Sequence, residues 1–173
     1  MKNRIELAQR FAALGFKKGA EIGVYKGLYA LELCKANPSL QLYCIDSWGM
    51  PTAPGKGEGV AHVRAFVEAQ SRLAPYNVEF IKKFSMDAIN DFEDGSLDFV
   101  YIDANHTRGF VAEDVREWSK KVRVGGIVAG HDYLDVQSRY AGVKPAVDGY
   151  VKKNNLELCI INEEEPSWYF IKP

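Results

Sequence analysis

The chain has 173 residues, 47% of them apolar and 26% charged, with a net charge of −1; this is the length of one domain and enough to bury a full core. So even a balance supplies no general pull towards nucleic acid or an anionic membrane, and neither is expected as a partner. The N-terminus, MKNRIELAQRF, scatters charges among its apolar residues, so no signal peptide or membrane span is expected there.

In chain order, Ile5, Leu7, Ala8, Phe11 and Leu14 recur near helical spacing and predict a leading amphipathic helix over residues 3–14. AEIGVY (20–25) reads as a short buried strand, and LYALELCKAN as a helix closed by Asn37-Pro38. QLYCID is a second strand. The Gly- and Pro-rich loop after it, residues 47–59, is expected to be a mobile lid. Val60, Val63, Phe66 and Val67 restart a helix that fades by Pro75. VEFIKK is a third strand, MDAINDF a short helix, EDGS a turn and LDFVYID the fourth strand. Val111, Val115, Trp118 and Val122 mark one face of the next helix. GGIVAG gives a fifth strand and residues 139–154 a helix of weaker pattern. LELCII and WYFIK close the chain as strands joined by NEEEPS.

Strands alternating with helices imply a parallel sheet, because right-handed crossovers place helices on both faces. The expected fold is a single-domain, Rossmann-like α/β fold: a doubly wound sheet of seven strands, mostly parallel. The last two strands have no helix between them, so the final one is expected to run antiparallel. No linker or repeat divides residues 1–173, and residues 1–18 hold the leading helix. Cys34, Cys44 and Cys159 are odd in number and widely spaced, and read as reduced thiols in a cytoplasmic protein.

Polar residues collect where the apolar strands stop, the edge at which open α/β sheets bind ligands. In Glu21-Ile22-Gly23-Val24-Tyr25-Lys26-Gly27 the glycines permit tight turning and close approach of a ligand. A dinucleotide turn would read GxGxxG and offer bare amides to a pyrophosphate. Here the middle glycine is missing and Glu21 precedes the turn, which favours an ammonium or sulfonium over a phosphate. Asp46 stands where nucleoside-binding α/β folds set an acid against the ribose hydroxyls, although an acid after a strand also serves as a helix cap. APGKGEG does not match a P-loop, whose Gly-Lys is followed by Ser or Thr.

The second polar cluster comes from LDFVYIDANH and VGGIVAGHDY. Asp103 ends the fourth strand, with His106 three residues on; His131-Asp132 ends the fifth. An imidazole titrating near neutrality suits His106 as a general base, set against a plain role in capping the next helix. Asp103 and Asp132 suit Mg²⁺. His131 either joins them, shifting preference towards Mn, Fe or Zn, or only fixes Asp103. His62 reads as a solvated or lid-facing residue, and Asp114 as one that pins its helix.

With these residues in order, the chain resembles the class I S-adenosylmethionine-dependent methyltransferases, and more narrowly the small-molecule O-methyltransferases related to macrocin O-methyltransferase. The likeness runs from about residue 19 to 172 and is most specific from Phe84 to Tyr133. It implies S-adenosyl-L-methionine as cofactor. Glu21 and Gly23 would hold the methionine end, with Tyr25 and Gly27 lining the turn. Asp46 would bind the ribose, with Ser47 and Trp48 beside it, Trp48 either facing the cofactor or anchoring its loop. Ser85, Met86 and Asp87 would border the adenine. Asp103 would lie next to the transferred methyl group as catalytic partner of His106, which stands where metal-dependent catechol methyltransferases carry a lysine. Asp103, His131 and Asp132 occupy the places that hold a divalent ion, Mg²⁺ or Mn²⁺, in metal-dependent relatives. Two departures stand out. Macrocin-type enzymes have Glu-Asp in place of His131-Asp132, and an aromatic shortly after the His106 position, where this chain has Thr107-Arg108.

The expected function is O-methylation of a small hydroxylated metabolite or sugar. A nicotinamide-dependent oxidoreductase is opposed by Glu21 and the absent GxGxxG. A module that binds S-adenosylmethionine without turnover is opposed by the intact acids and His106. The expected partner is a small-molecule acceptor. A homo-oligomer stays open, with no exposed apolar stripe legible in the sequence.

Overall fold

In the computed structural model, which describes residues 1–51, 59–135 and 141–173, the chain opens with α1 (Arg4–Ala13) and then alternates. β1 (Lys18–Ile22), α2 (Leu28–Ala36), β2 (Gln41–Asp46), α3 (Val60–Leu73) and β3 (Val78–Lys82) form the first half. α4 (Ser85–Ala88), a 3-10 turn (Ile89–Asp91), β4 (Leu97–Ile102), α5 (Arg108–Lys121) and β5 (Val122–Gly130) follow, then α6 (Val143–Lys153), β6 (Cys159–Ile161) and β7 (Ser167–Ile171). The centre of the expected lid, 52–58, lies outside the described residues, as does 136–140.

The strands form one sheet in the order β3-β2-β1-β4-β5-β7-β6. Neighbours from β3 to β5 pair in parallel, and β7 runs antiparallel to both β5 and β6. This is the expected Rossmann-like sheet with its reversed last strand. The chain winds outward from β1 to β3 and then returns to β4 beside β1. The C-terminal ends of β1 and β4 therefore flank the switch point where such sheets open a crevice.

Pleating divides the core by alternate residues. Phe99 and Tyr101 of β4 join the layer under α1, α2 and α3; Val100 and Ile102 join the layer under α5 and α6. Asn3 starts α1 by accepting the Ile5 and Glu6 N–H groups on its side chain. Phe11 of α1 then stacks on Phe99 at 4.2 Å. On the other face Trp118 of α5 is fully buried against Phe92, a burial worth about 2–3 kcal/mol.

Three elements depart from the sequence pattern. β1 ends at Ile22, not Tyr25, because Gly23 (φ 92°) and Tyr25 (φ 48°) leave the extended region. β5 begins at Val122, ahead of Gly125, and its register against β4 shifts between Leu97 and Phe99. In α3 the buried face is Ala65, Ala69 and Leu73. Val60, Val63 and Val67 are exposed instead, so an apolar stripe unseen in the sequence lies on this helix. The small alanines let α3 approach α2: a Cβ on Gly27 would meet Leu73 Cδ1 at 3.1 Å and Ala69 Cβ at 3.3 Å.

Among the described residues no helix is long and apolar enough to cross a membrane. All three cysteines are free thiols. Burial pushes the Cys34 thiol up to about 12, which removes it as a thiolate nucleophile. The four-residue α4 leaves part of the sheet uncovered beside β3, where Tyr43, Phe80, Asp91 and Phe92 line a cavity of about 640 Å³. None of the strand-end acids or histidines lines this cavity.

Candidate active site

Backbone hydrogen bonds hold the strand ends in one row. The Gly23 N–H donates to Ile45 O at 2.8 Å, the Asp103 N–H to Ile22 O at 2.8 Å, and the His131 N–H to Ile102 O at 3.1 Å. Glu21, Asp46, Asp103 and His131-Asp132 are thereby gathered at the switch point, as their places after apolar strands imply.

Glu21 sits in the row's centre and is 2% exposed. Its Oε2 is buried with no hydrogen-bond partner, a costly state for a carboxyl group. Burial holds it well above its ordinary carboxyl range; the Asp103 charge adds to this, and Arg4 opposes it. A cation bound here would favour the ionised form in the same way as Arg4.

The turn after Glu21 is held compact by the packing of the chain itself. A Cβ on Gly23 would lie 2.0 Å from the Asp103 carbonyl oxygen, so glycine lets β1's turn pack directly on the end of β4. Gly27, at φ 70°, faces α3. Both glycines are required by chain packing at these positions. Asp46 ties two turns together: Oδ2 accepts the Tyr25 N–H at 2.8 Å and Oδ1 the Trp48 N–H at 2.7 Å. Ser47 lies half-buried between them. Trp48 is fully buried, packed on Phe66 at 4.4 Å, and donates Nε1–H to Tyr25 O at 2.8 Å. Of its two expected roles it performs the second, as anchor beneath the turn. Tyr25 is exposed, with His62 edge-on at 5.8 Å.

Past β3, Ser85 and Asp114 are occupied with each other. The Ser85 hydroxyl donates to Asp114 Oδ1 and accepts Trp118 Nε1–H at 2.8 Å. Burial raises Asp114 to about 6, against the Ser85 hydrogen bond. Asp114 thus pins α5 as expected. Met86 is half-buried against the core and Asp87 exposed.

The ends of β4 and β5 carry a dense charge cluster. His106 Nε2 lies 2.8 Å from Asp132 Oδ2 and 3.5 Å from Asp103 Oδ1. His131 Nδ1 lies 3.3 Å from Asp132 Oδ1 and 3.8 Å from Asp103 Oδ2. Asp132 adopts φ 57°, a left-handed turn that costs a non-glycine residue about 1 kcal/mol or more and recurs at functional sites. Burial by itself would lower His106, but the Asp103 and Asp132 carboxylates outweigh it and raise the imidazole to about 9. Burial would raise Asp132, yet its bonds to His106 and His131 hold it well below the carboxylate range. Asp103, His131 and Asp132 each offer a ligand atom within 4.8 Å of the others.

One further group of residues reaches the site without any sequence signal of its role. Arg4 of α1 lies over the Tyr29 ring at 5.4 Å and within electrostatic reach of the Tyr101 hydroxyl. Tyr101 Oη is 3.1 Å from Ser167 Oγ, which donates to Glu163 Oε1 at 2.8 Å. The start of α1 is readable from Asn3 and Glu6; its docking against β4 and β7 is not.

A methyltransferase-domain family model matches residues 20–133. Uncharacterized protein y4gI of Sinorhizobium fredii (strain NBRC 101917 / NGR234) is 26% identical over 126 residues, 69% of this chain, and the chain spans 13% of that relative's length. Three solved structures share the fold over 98% of this chain. Cofactor-bound Rv0187 from MTB has TM-score 0.74 and 14% identity, with 79% of its chain covered. The Bacillus cereus O-methyltransferase in complex with SAH has TM-score 0.73 and 13% identity, with 80% covered. The Streptomyces achromogenes O-methyltransferase TomG, in complex with SAM, has TM-score 0.72 and 17% identity, also with 80% covered.

Proposed function

The chain belongs to the methyltransferase-domain family matched over residues 20–133, and on that premise we propose that it methylates an oxygen of a small hydroxylated acceptor, using S-adenosyl-L-methionine. The carrying observation is Glu21: a buried carboxyl group with an unpartnered oxygen at the sheet's switch point. Such a group suits an ammonium and repels a phosphate, which favours an amino-acid-bearing nucleoside over a dinucleotide. The O-methyltransferase neighbours holding SAM and SAH support the same cofactor and an oxygen acceptor.

When bound, the cofactor supplies an electrophilic methyl group and leaves as a neutral thioether once the acceptor oxygen has bonded to the methyl carbon. Glu21 takes the ammonium. Asp46 retains lone pairs for ribose hydroxyls beyond its two backbone donors, with Ser47 beside it. Ser85, Met86 and Asp87 border the adenine, Met86 offering its apolar side. His106 accepts the acceptor's hydroxyl proton at Nε2 once its contacts there with Asp132 and Asp103 give way to the acceptor, and the two carboxylates stabilise the imidazolium that forms. Because these carboxylates raise His106 to about 9, it must first shed a proton, and the neutral fraction grows with pH.

Asp103, His131 and Asp132 also fit a divalent cation. Two carboxylates with one imidazole suit Mn²⁺ and, with water, Mg²⁺. The ion would supply Lewis acidity at the acceptor oxygen, and its charge would offset the two carboxylates that face His106. The free thiols support a cytoplasmic setting.

Thermal-shift titration with S-adenosylhomocysteine, NAD and ATP tests this reading. S-adenosylhomocysteine at a hundredfold excess over its Kd should stabilise the chain by about 2.7 kcal/mol. Stabilisation by NAD in its place would overturn methyl transfer.

A further inference from the structure

Arg4 brings a guanidinium to the strand-end site from α1. Its main chain is fixed by two other elements. The Arg4 N–H donates to Glu163 Oε1 at 3.1 Å, and Tyr29 of α2 donates its hydroxyl to Arg4 O at 3.0 Å. Glu163 is itself held by the Ser167 hydroxyl at the start of β7. The side chain then lies over Tyr29 and against Tyr101, within electrostatic reach of Glu21, Asp103 and Glu163.

Helix stability does not explain this cation. A positive charge in the first turn opposes the helix dipole. Nor is the charge used up: among the described residues no carboxylate lies within ion-pair distance of the Arg4 side chain. A guanidinium has five N–H donors in a planar fork matched to a carboxylate. Here the Tyr29 ring face is its direct contact, with the Tyr101 hydroxyl nearby.

We propose that Arg4 receives the α-carboxylate of the cofactor's amino-acid end while Glu21 takes its ammonium, a pairing that rests on the methyl-transfer reading above. In an α-amino acid the two charged groups share one carbon, so their sites must be neighbours of opposite sign. Arg4 and Glu21 are of opposite sign and lie within electrostatic reach of each other without forming an ion pair. An acidic acceptor would offer the same chemistry, but it would not require the anion site to stand beside Glu21.

Calorimetry on the whole chain with S-adenosylhomocysteine and its decarboxylated analogue tests the pairing. Wild type should prefer S-adenosylhomocysteine by about 10- to 100-fold, the range of a charged hydrogen-bonded contact. Arg4→Gln should lose that factor, yet bind the decarboxylated analogue as tightly as wild type or more so, since a cation beside its ammonium has gone. Arg4→Lys should recover part of the preference. Equal loss for both ligands in Arg4→Gln would overturn the proposal and make Arg4 a prop for α1. Unchanged S-adenosylhomocysteine affinity would overturn it as well, leaving Arg4 to an acidic acceptor. If wild type bound neither ligand, the methyl-transfer reading itself would fall; a failure confined to the Arg4 variants removes only this assignment.

Discussion

The two halves of the strand-end site are built on opposite electrostatic plans. At the end of β1 a single acid, Glu21, is buried with an oxygen unpartnered, in a turn locked by backbone packing. At the ends of β4 and β5 two carboxylates and two imidazoles face one another at 2.8 to 3.8 Å. In the first half Arg4 stands within electrostatic reach but forms no ion pair with Glu21, so a ligand's charge would complete it. The second pairs its acids with imidazoles, so an acceptor or an ion there must compete with contacts inside the cluster. Binding and chemistry are thus separable by mutation.

The largest expected effect falls on the second half alone. His106→Gln should lower kcat by about 10²- to 10⁴-fold and leave S-adenosylhomocysteine affinity within about threefold of wild type. The pH profile sharpens the point. On the proposed role the base is the neutral imidazole, whose pKa is raised to about 9, so kcat should climb about tenfold per pH unit up to that value and then level off. Mg²⁺ or Mn²⁺ should move the climb to lower pH, and a chelator should restore it. Steady-state rates from pH 6 to 10 check both; a profile flat from pH 6 to 9 would remove His106 as base.

Gly23→Ala should break both halves together. The new methyl would lie 2.0 Å from Asp103 O at a residue held at φ 92°, costing about 3 kcal/mol or more. In a domain of this size that lowers Tm by about 6–12 °C. A melt within 2 °C of wild type would show that the turn does not need the close packing between β1 and β4.

Asp114→Asn should have the smallest effect, outside both halves. Asp114 titrates near 6 in the folded chain, above its usual 3.8. Its contribution is therefore fully present below about pH 4 and is lost as pH rises through 6. Asparagine retains the acceptor for Ser85 without the buried charge. The variant should match wild type below about pH 4 and exceed it by about 1–3 kcal/mol at pH 8. Equal stability at both pH values would contradict the burial cost.

What the sequence made legible follows the reach of the forces involved. QLYCID matches β2 to the residue because a buried strand needs only local alternation and a clear end. The placing of Glu21, Asp46, Asp103 and His131-Asp132 was equally readable, since each follows an apolar strand. AEIGVY was read three residues too long because nothing local reveals that Gly23 must admit the Asp103 carbonyl. The valines of α3 have helical spacing, but the close approach at Gly27 selects the alanine face for burial. Trp48 beneath its turn and Arg4 at the site depend on which helix docks where, and neither is written in a local pattern. The raised pKa of His106 belongs to the same class: it arises from Asp132, 26 positions away in the chain.

The most direct test of the division between the halves is calorimetric binding of S-adenosylhomocysteine to wild type and Glu21→Gln, alongside thermal melts of the ligand-free proteins. Removing the charge should weaken binding by about 10- to 100-fold. The ligand-free variant should melt at the same temperature or higher, because an unpartnered buried carboxyl group has been replaced by a neutral one. Undiminished binding by Glu21→Gln would contradict the assignment of Glu21 as the cation-binding centre of the site.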